Sequence, residues 1–141
     1  MSQPVLIAIV AFAVLFAVVT VIQNCNYRRR MRSLAAERSG ESICQFARSL
    51  PYRQLDTSVI RHVYEAVQSE ITIPDGPFPI RATDHCTDTL EIDLEDFDFL
   101  VADLADRCRR SLESCEQNPF YRRVHTVGDL ARFLCAQQKV Q

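Results

Sequence analysis

An uninterrupted apolar stretch opens the chain. Residues 4–22 read PVLIAIVAFAVLFAVVTVI and contain no charged side chain. About 20 helical residues, each rising about 1.5 Å, cross a hydrocarbon core of about 30 Å. The pattern therefore predicts a transmembrane anchor in residues 1–26, with the lipid bilayer as its partner through residues 4–22. The chain begins MSQP, without the basic start of a cleavable signal peptide, so we expect the anchor to be retained.

A basic cluster follows the apolar stretch directly. Tyr27 is succeeded by Arg28, Arg29, Arg30 and Arg32. Basic residues beside a membrane helix stay in the cytoplasm, which predicts a single-pass protein with its N-terminus outside and its soluble domain cytoplasmic. Binding of anionic lipid head groups is the alternative interpretation of the same arginines.

The next segment has a weaker pattern. Residues 27–54 combine the basic cluster with a small, polar stretch, which predicts a juxtamembrane segment and tether. Within it, Ile43, Phe46 and Leu50 stand at helical spacing and predict a short helix that ends before Pro51.

Three further amphipathic helices are predicted in residues 55–141. The clearest starts at Asp56 or Thr57 and carries the apolar stripe Val59, Ile60, Val63, Tyr64, Val67 and Ile71. The prolines and the glycine from Pro74 to Pro79 then predict a long irregular connection. A second helix, which starts at Asp93, would bury the stripe Phe97, Leu100, Val101, Leu104 and Cys108. The last helix, which Thr126 and Asp129 cap, would bury Val127, Leu130, Phe133 and Leu134. With no strand pattern of useful length, the predicted fold is all-α.

The cysteines do not indicate a disulfide framework. The six residues Cys25, Cys44, Cys86, Cys108, Cys115 and Cys135 include no CxxC pair, and several fall at apolar helical positions. We interpret them as reduced thiols, mostly buried. Together with His62, His85 and His125 they lack the spacing of metal ligands, so no metal site is expected.

Two segments resemble the acyl carrier protein family, the phosphopantetheine-binding carrier domain. The final helix opens with Thr126-Val127-Gly128-Asp129-Leu130, and carrier proteins commonly begin their final helix with the same five residues. The stretch DHCTDTLEIDLEDFDFLVADL is similar to the carrier segment Leu-Gly-x-Asp-Ser-Leu and the helix after it. The resemblance covers roughly residues 55–136 and implies a small acyl-carrier-like helical bundle.

One departure from the family concerns its prosthetic group. When the carrier motif is aligned with this segment without gaps, Leu94 occupies the position of the modified serine. A leucine has no oxygen to form the phosphodiester, so the resemblance implies a degenerate member and no phosphopantetheine cofactor. Thr87 and Thr89 are the nearby hydroxyls, and both suit hydrogen bonding within the loop.

An acidic segment suggests how such a domain would work. Between Asp84 and Asp106 the chain has carboxylates and no Lys or Arg, although its formal net charge is only -2. The candidate partner-binding residues are Asp93, Glu95, Asp96, Asp98, Asp103 and Asp106. In carrier proteins the corresponding helix docks on basic enzyme surfaces, and acidic fields attract such surfaces generally. The alternative interpretation is that these carboxylates form a solvent-exposed helix face that binds no partner.

Other function classes find less support. The sequence has no Ser-His-Asp arrangement and no phosphate-cradling glycine loop, so we do not expect an enzyme. An acidic face also disfavours nucleic-acid binding. The expected function is a membrane-anchored, acyl-carrier-like docking module near lipid or acyl-transfer machinery. A functional carrier modified at an unrecognised residue and an anchored helical domain of unrelated structural role are the alternatives.

Overall fold

The computed structural model describes residues 3–73 and 75–140. Pro74 and the outer ends of the predicted segments 1–26 and 55–141 lie outside these residues. The described chain contains α-helices and no strand, which confirms the all-α prediction. The helices are α1 (Gln3–Glu37), α2 (Ile43–Arg48), α3 (Thr57–Glu70), α4 (Leu94–Arg107) and α5 (Val127–Ala136), with a short 3₁₀ turn at Cys115–Gln117.

Helix α1 is 35 residues long and apolar enough to cross a membrane. None of its most apolar window is buried, unlike the core helix of a soluble protein. The chain divides into two compact units, Met1–Glu37 and Arg38–Gln141. The segment predicted as a tether, residues 27–54, is therefore divided: its first part is helical up to Glu37, and the rest, including the predicted short helix, belongs to the second unit.

The second unit is built around α3, which packs against α2, α4 and α5. The stripe predicted for α3 is buried at every position, and so is the stripe predicted for α5. On α4 the prediction is partly correct, because Leu100 and Leu104 are buried whereas Phe97, Val101 and Cys108 are half-buried. Phe46 of α2 meets Tyr64 of α3 with their ring centroids 5.2 Å apart. These contacts form one apolar core.

The connection between α3 and α4 is irregular, as predicted, but it also supplies part of the core. Phe78, Ile80, Leu90 and Ile92 are buried, and Phe78 is fully enclosed. The loop has no helical or alternating period, so its buried positions could not be recognised from the sequence.

A buried ion pair fixes this loop. The guanidinium of Arg38 donates to both carboxylate oxygens of Asp84, at 2.8 and 2.7 Å, and to the Pro79 carbonyl at 3.1 Å. Asp84 also accepts a hydrogen bond from the Arg81 backbone N–H at 2.8 Å. Arg38 and Asp84 are both buried. This bidentate ion pair fixes the loop against Arg38, the first residue of the second unit.

A second buried arginine joins other parts of the same unit. Arg110 donates to Asp56 at 2.9 Å and to the Gln137 carbonyl at 3.0 Å. Asp56 is also the N-cap of α3, where it accepts a hydrogen bond from the Ser58 N–H at 3.1 Å. Arg110 therefore connects the residues after α4, the start of α3 and the end of α5.

The start of α5 docks on the fixed loop. Thr126 and Asp129 form the predicted capping box, with both hydrogen bonds at 3.1 Å. The backbone N–H of Val127 donates to the Asp84 carbonyl at 3.0 Å, and that of Gly128 donates to the Ala82 carbonyl at 2.9 Å. A Cβ on Gly128 would lie 2.9 Å from the same Ala82 oxygen. This close approach requires glycine.

Replacing Gly128 with alanine tests that contact. Alanine favours a helix over glycine by about 1 kcal/mol, so the substitution would stabilise α5 if space were available. We expect a net loss of about 1–3 kcal/mol in the free energy of unfolding, because the new methyl overlaps a backbone oxygen. Urea unfolding of the full chain in detergent, followed by tyrosine fluorescence, measures the change. An unchanged or raised midpoint would show that the close approach does not constrain this position.

Replacing Asp84 with alanine tests the buried ion pair. Arg38 would keep its charge in the core without a counter-charge, so we expect unfolding to become easier by about 3–5 kcal/mol. The matched control is Asp103→Ala, which removes the exposed pair with Arg107 and should cost less than about 1 kcal/mol. Similar losses for the two variants in the same urea experiment would contradict the account.

Candidate docking site on the acidic helix

The acidic helix α4 starts where the sequence predicted it. Asp93 occupies the N-cap position with an extended backbone (φ -63°, ψ 151°). Its side chain makes no capping hydrogen bond. Glu95 and Asp96 lie in the first turn, where the positive end of the helix dipole stabilises negative charge.

All predicted partner-binding residues reach the surface. Asp93, Glu95, Asp96, Asp98, Asp103 and Asp106 are exposed. Asp103 pairs with Arg107 at 2.8 Å, an exposed contact one helical turn away. Within residues 3–73 and 75–140, the other five carboxylates form no ion pair. Their charge is therefore directed to solvent and is available to a partner.

Asp84 does not belong to this acidic face. The sequence grouped it with the exposed carboxylates, but its side chain is buried against Arg38. That residue stabilises the fold and cannot contact a partner. The acidic face therefore consists of the exposed carboxylates that begin with the N-cap of α4.

Two apolar side chains protrude from the same helix. Leu94 and Phe99 are each 69% exposed. Glu95 and Asp103 stand four residues before and after Phe99, and Asp106 stands seven after it, so all three share its side of the helix. The arrangement is an aromatic ring bordered by carboxylates. Phe99 was not among the residues predicted to bind a partner, although its position off the buried stripe indicates that it is exposed.

Leu94, which the resemblance aligns with the modified serine of carrier proteins, is exposed and has no hydroxyl. Leu94 is the first residue of α4, and its side chain is a hydrocarbon. The residue therefore does not fit a phosphopantetheine attachment site. Thr87 donates to Asp88 at 3.3 Å, and Thr89 accepts from the His85 N–H at 3.3 Å. These hydroxyls take part in hydrogen bonds of the loop.

The backbone before α4 is unusual. Glu91 has φ 56°, in the left-handed region that favours glycine. In the carrier pattern Leu-Gly-x-Asp-Ser-Leu, aligned on Leu90 and Asp93, the glycine falls at Glu91. The chain thus has a glycine-like conformation at the residue where the family has glycine.

The thiols are free, but the prediction that they are mostly buried is wrong. Cys86 is buried, Cys25 and Cys44 are exposed, and the other three are half-buried. Burial, assisted by the charges of Asp129 and Asp84, raises the pKa of Cys86 to about 12, so this thiol is unreactive. No group of three or more His, Cys, Asp or Glu in the described chain could hold a metal ion.

Comparison with known proteins gives no relative from which to read a function. No family model, curated protein or solved structure matches the chain.

Proposed function

We propose that the chain is a membrane-tethered, carrier-like helical domain that carries no prosthetic group and docks on a protein partner through α4. The partner is an enzyme of acyl transfer or lipid synthesis with a basic surface. Helix α1 spans the bilayer with its N-terminus outside, and the second unit lies in the cytoplasm. The observation that carries the proposal is the exposed outer face of α4, with its carboxylates around Phe99.

The composition of this face favours a specific contact over a merely solvated surface. Exposed carboxylates attract a basic surface and set its orientation, but they contribute little affinity at the rim of an interface. An aromatic side chain at the centre contributes more, since buried aromatic anchors dominate many interfaces. Phe99 supplies this anchor, and the surrounding carboxylates supply the rim.

The carrier-like part of the proposal is supported by the order of elements. A long helix, a long loop, an acidic helix, a short turn and a final capped helix follow one another in α3, α4, the 3₁₀ turn and α5. The left-handed backbone of Glu91 adds a second similarity, at the start of the acidic helix. In carrier proteins this helix contacts partner enzymes, which is the role we propose for α4.

A membrane tether makes weak docking sufficient. Confining the second unit to a bilayer surface raises its effective concentration near partners in the same membrane. The length and full exposure of the apolar part of α1 support such a tether. The interface on α4 can then be small and still be occupied.

Photo-crosslinking in native membranes tests the docking. A photoreactive phenylalanine analogue at position 99 should crosslink to a defined neighbour, because Phe99 is the central contact. The charge reversal Asp96→Lys, Asp98→Lys and Asp103→Lys should reduce this adduct at least about tenfold, since like charges then face each other. The matched control reverses three exposed carboxylates elsewhere, Glu65, Glu70 and Glu113. Equal amounts of adduct from the original chain, the α4 charge reversal and the control reversal would count against docking through α4.

A gain-of-function substitution tests the carrier resemblance. Leu94→Ser places a hydroxyl at the exposed first residue of α4. We expect a phosphopantetheinyl transferase with coenzyme A to add the mass of one phosphopantetheine to this variant and none to the wild type. The control Ala102→Ser places a serine at an exposed position within the same helix and should stay unmodified.

Intact mass spectrometry separates the alternatives. Modification of the wild type would favour a functional carrier with an unrecognised attachment residue. An unmodified Leu94→Ser variant, beside a carrier domain that is modified in the same reaction, would contradict the carrier-like arrangement.

A further inference from the structure

Three arginines of α1 form a stripe just beyond its apolar part. Cys25, Arg28, Arg29 and Arg32 stand at positions i, i+3, i+4 and i+7, which lie on one face of a helix. Together they line an open depression of about 360 Å³. We call Arg28, Arg29 and Arg32 the arginine stripe. The apolar run that would lie in a bilayer ends before this face begins.

The depth of the arginine stripe matches the head-group layer of a bilayer. Arg28 follows Ile22 by six residues, or about 9 Å along the helix axis. Head groups add roughly 5–8 Å to each side of the hydrocarbon core. Side chains of a helix tilt toward its N-terminus, which here is the direction of the membrane, and long arginines extend further that way. Their guanidinium groups therefore reach the level of the lipid phosphates.

The chemistry of the stripe fits a phosphate ester. A guanidinium presents two parallel N–H groups to a phosphate, and several arginines on one face can share one anionic head group. The first carboxylate of the chain is Glu37, so no acidic residue lies within four positions of Arg28 or Arg29. A zwitterionic phosphatidylcholine head group brings its own ammonium close to these charges, whereas the anionic phosphatidylglycerol head group has no ammonium.

We propose that the arginine stripe binds the head-group phosphate of an anionic phospholipid in the adjoining leaflet and selects it over zwitterionic lipid. This inference rests on the insertion of α1 that is part of the proposed function. It goes beyond a topology signal, which requires positive charge but no lipid selection.

Lipid retention in nanodiscs tests the selection. The full chain is reconstituted with equal amounts of phosphatidylglycerol and phosphatidylcholine, and the lipids that remain bound on release are identified by native mass spectrometry. We expect about a fivefold or greater excess of phosphatidylglycerol on the wild type. The variant Arg28→Gln, Arg29→Gln, Arg32→Gln should bind the two lipids nearly equally. The matched control, Arg48→Gln, Arg53→Gln, Arg61→Gln, removes three exposed arginines of the second unit and should keep the excess.

Several results would overturn the inference. One is a wild type that retains no excess of phosphatidylglycerol, and another is an excess that persists in the variant without the arginine stripe. An equal loss of the excess in the control variant would also overturn it. Release of the lipid by inorganic phosphate, but not by chloride at the same ionic strength, would indicate a site for free phosphate instead.

Alkaline carbonate extraction separates this inference from the proposed function. A chain that carbonate releases from membranes contradicts the tether itself. A chain that stays inserted but shows no anionic excess contradicts the lipid site alone and leaves docking through α4 intact.

Discussion

The second unit depends on the buried pair of Arg38 and Asp84. A loop of more than twenty residues between α3 and α4 has no regular hydrogen-bond ladder of its own, so its conformation must be fixed by particular contacts. Asp84 supplies them: it receives two hydrogen bonds from Arg38 and one from the Arg81 backbone, and its carbonyl receives one from Val127. The first residue of the unit, its central loop and its last helix are thereby joined through one residue.

The loop that this pair fixes shares the core with α4. The loop places Phe78, Ile80, Leu90 and Ile92 in the core, which leaves α4 to bury only a narrow strip around Leu100, Leu104 and Ala105. The rest of its circumference faces solvent and carries the carboxylates and Phe99. A helix held by a narrow strip presents a broad outer surface, which is the geometry that a docking helix needs. The buried strip and the proposed docking surface therefore lie on opposite sides of α4.

Much of the fold could be predicted because helices have a period. The stripes of α3 and α5 and the capping box of Thr126 and Asp129 follow from spacing alone. The core of the loop and the burial of Asp84 could not be predicted, since both depend on contacts between residues far apart in sequence. Arg38 and Asp84, for example, are 46 positions apart.

The candidate site shows the same division. The exposure of the six carboxylates could be predicted from their place off the apolar stripe of α4. Phe99 could also have been found in this way, but an apolar residue off the stripe is easily dismissed. The motif from Thr126 to Leu130 has a double meaning: it resembles carrier proteins, and its glycine, threonine and aspartate each have a structural reason in this chain. Local packing therefore explains the motif even without carrier function.

If α4 docks on a partner as proposed, a protein covers its outer face in the native membrane. Carbodiimide labelling of carboxylates, compared between native membranes and the purified chain in detergent, measures this directly. We expect strong protection of Glu95, Asp98 and Asp106 in native membranes, whereas Glu65 and Glu70 should be labelled equally in both preparations. Equal labelling of the α4 carboxylates in the two preparations would contradict docking through α4.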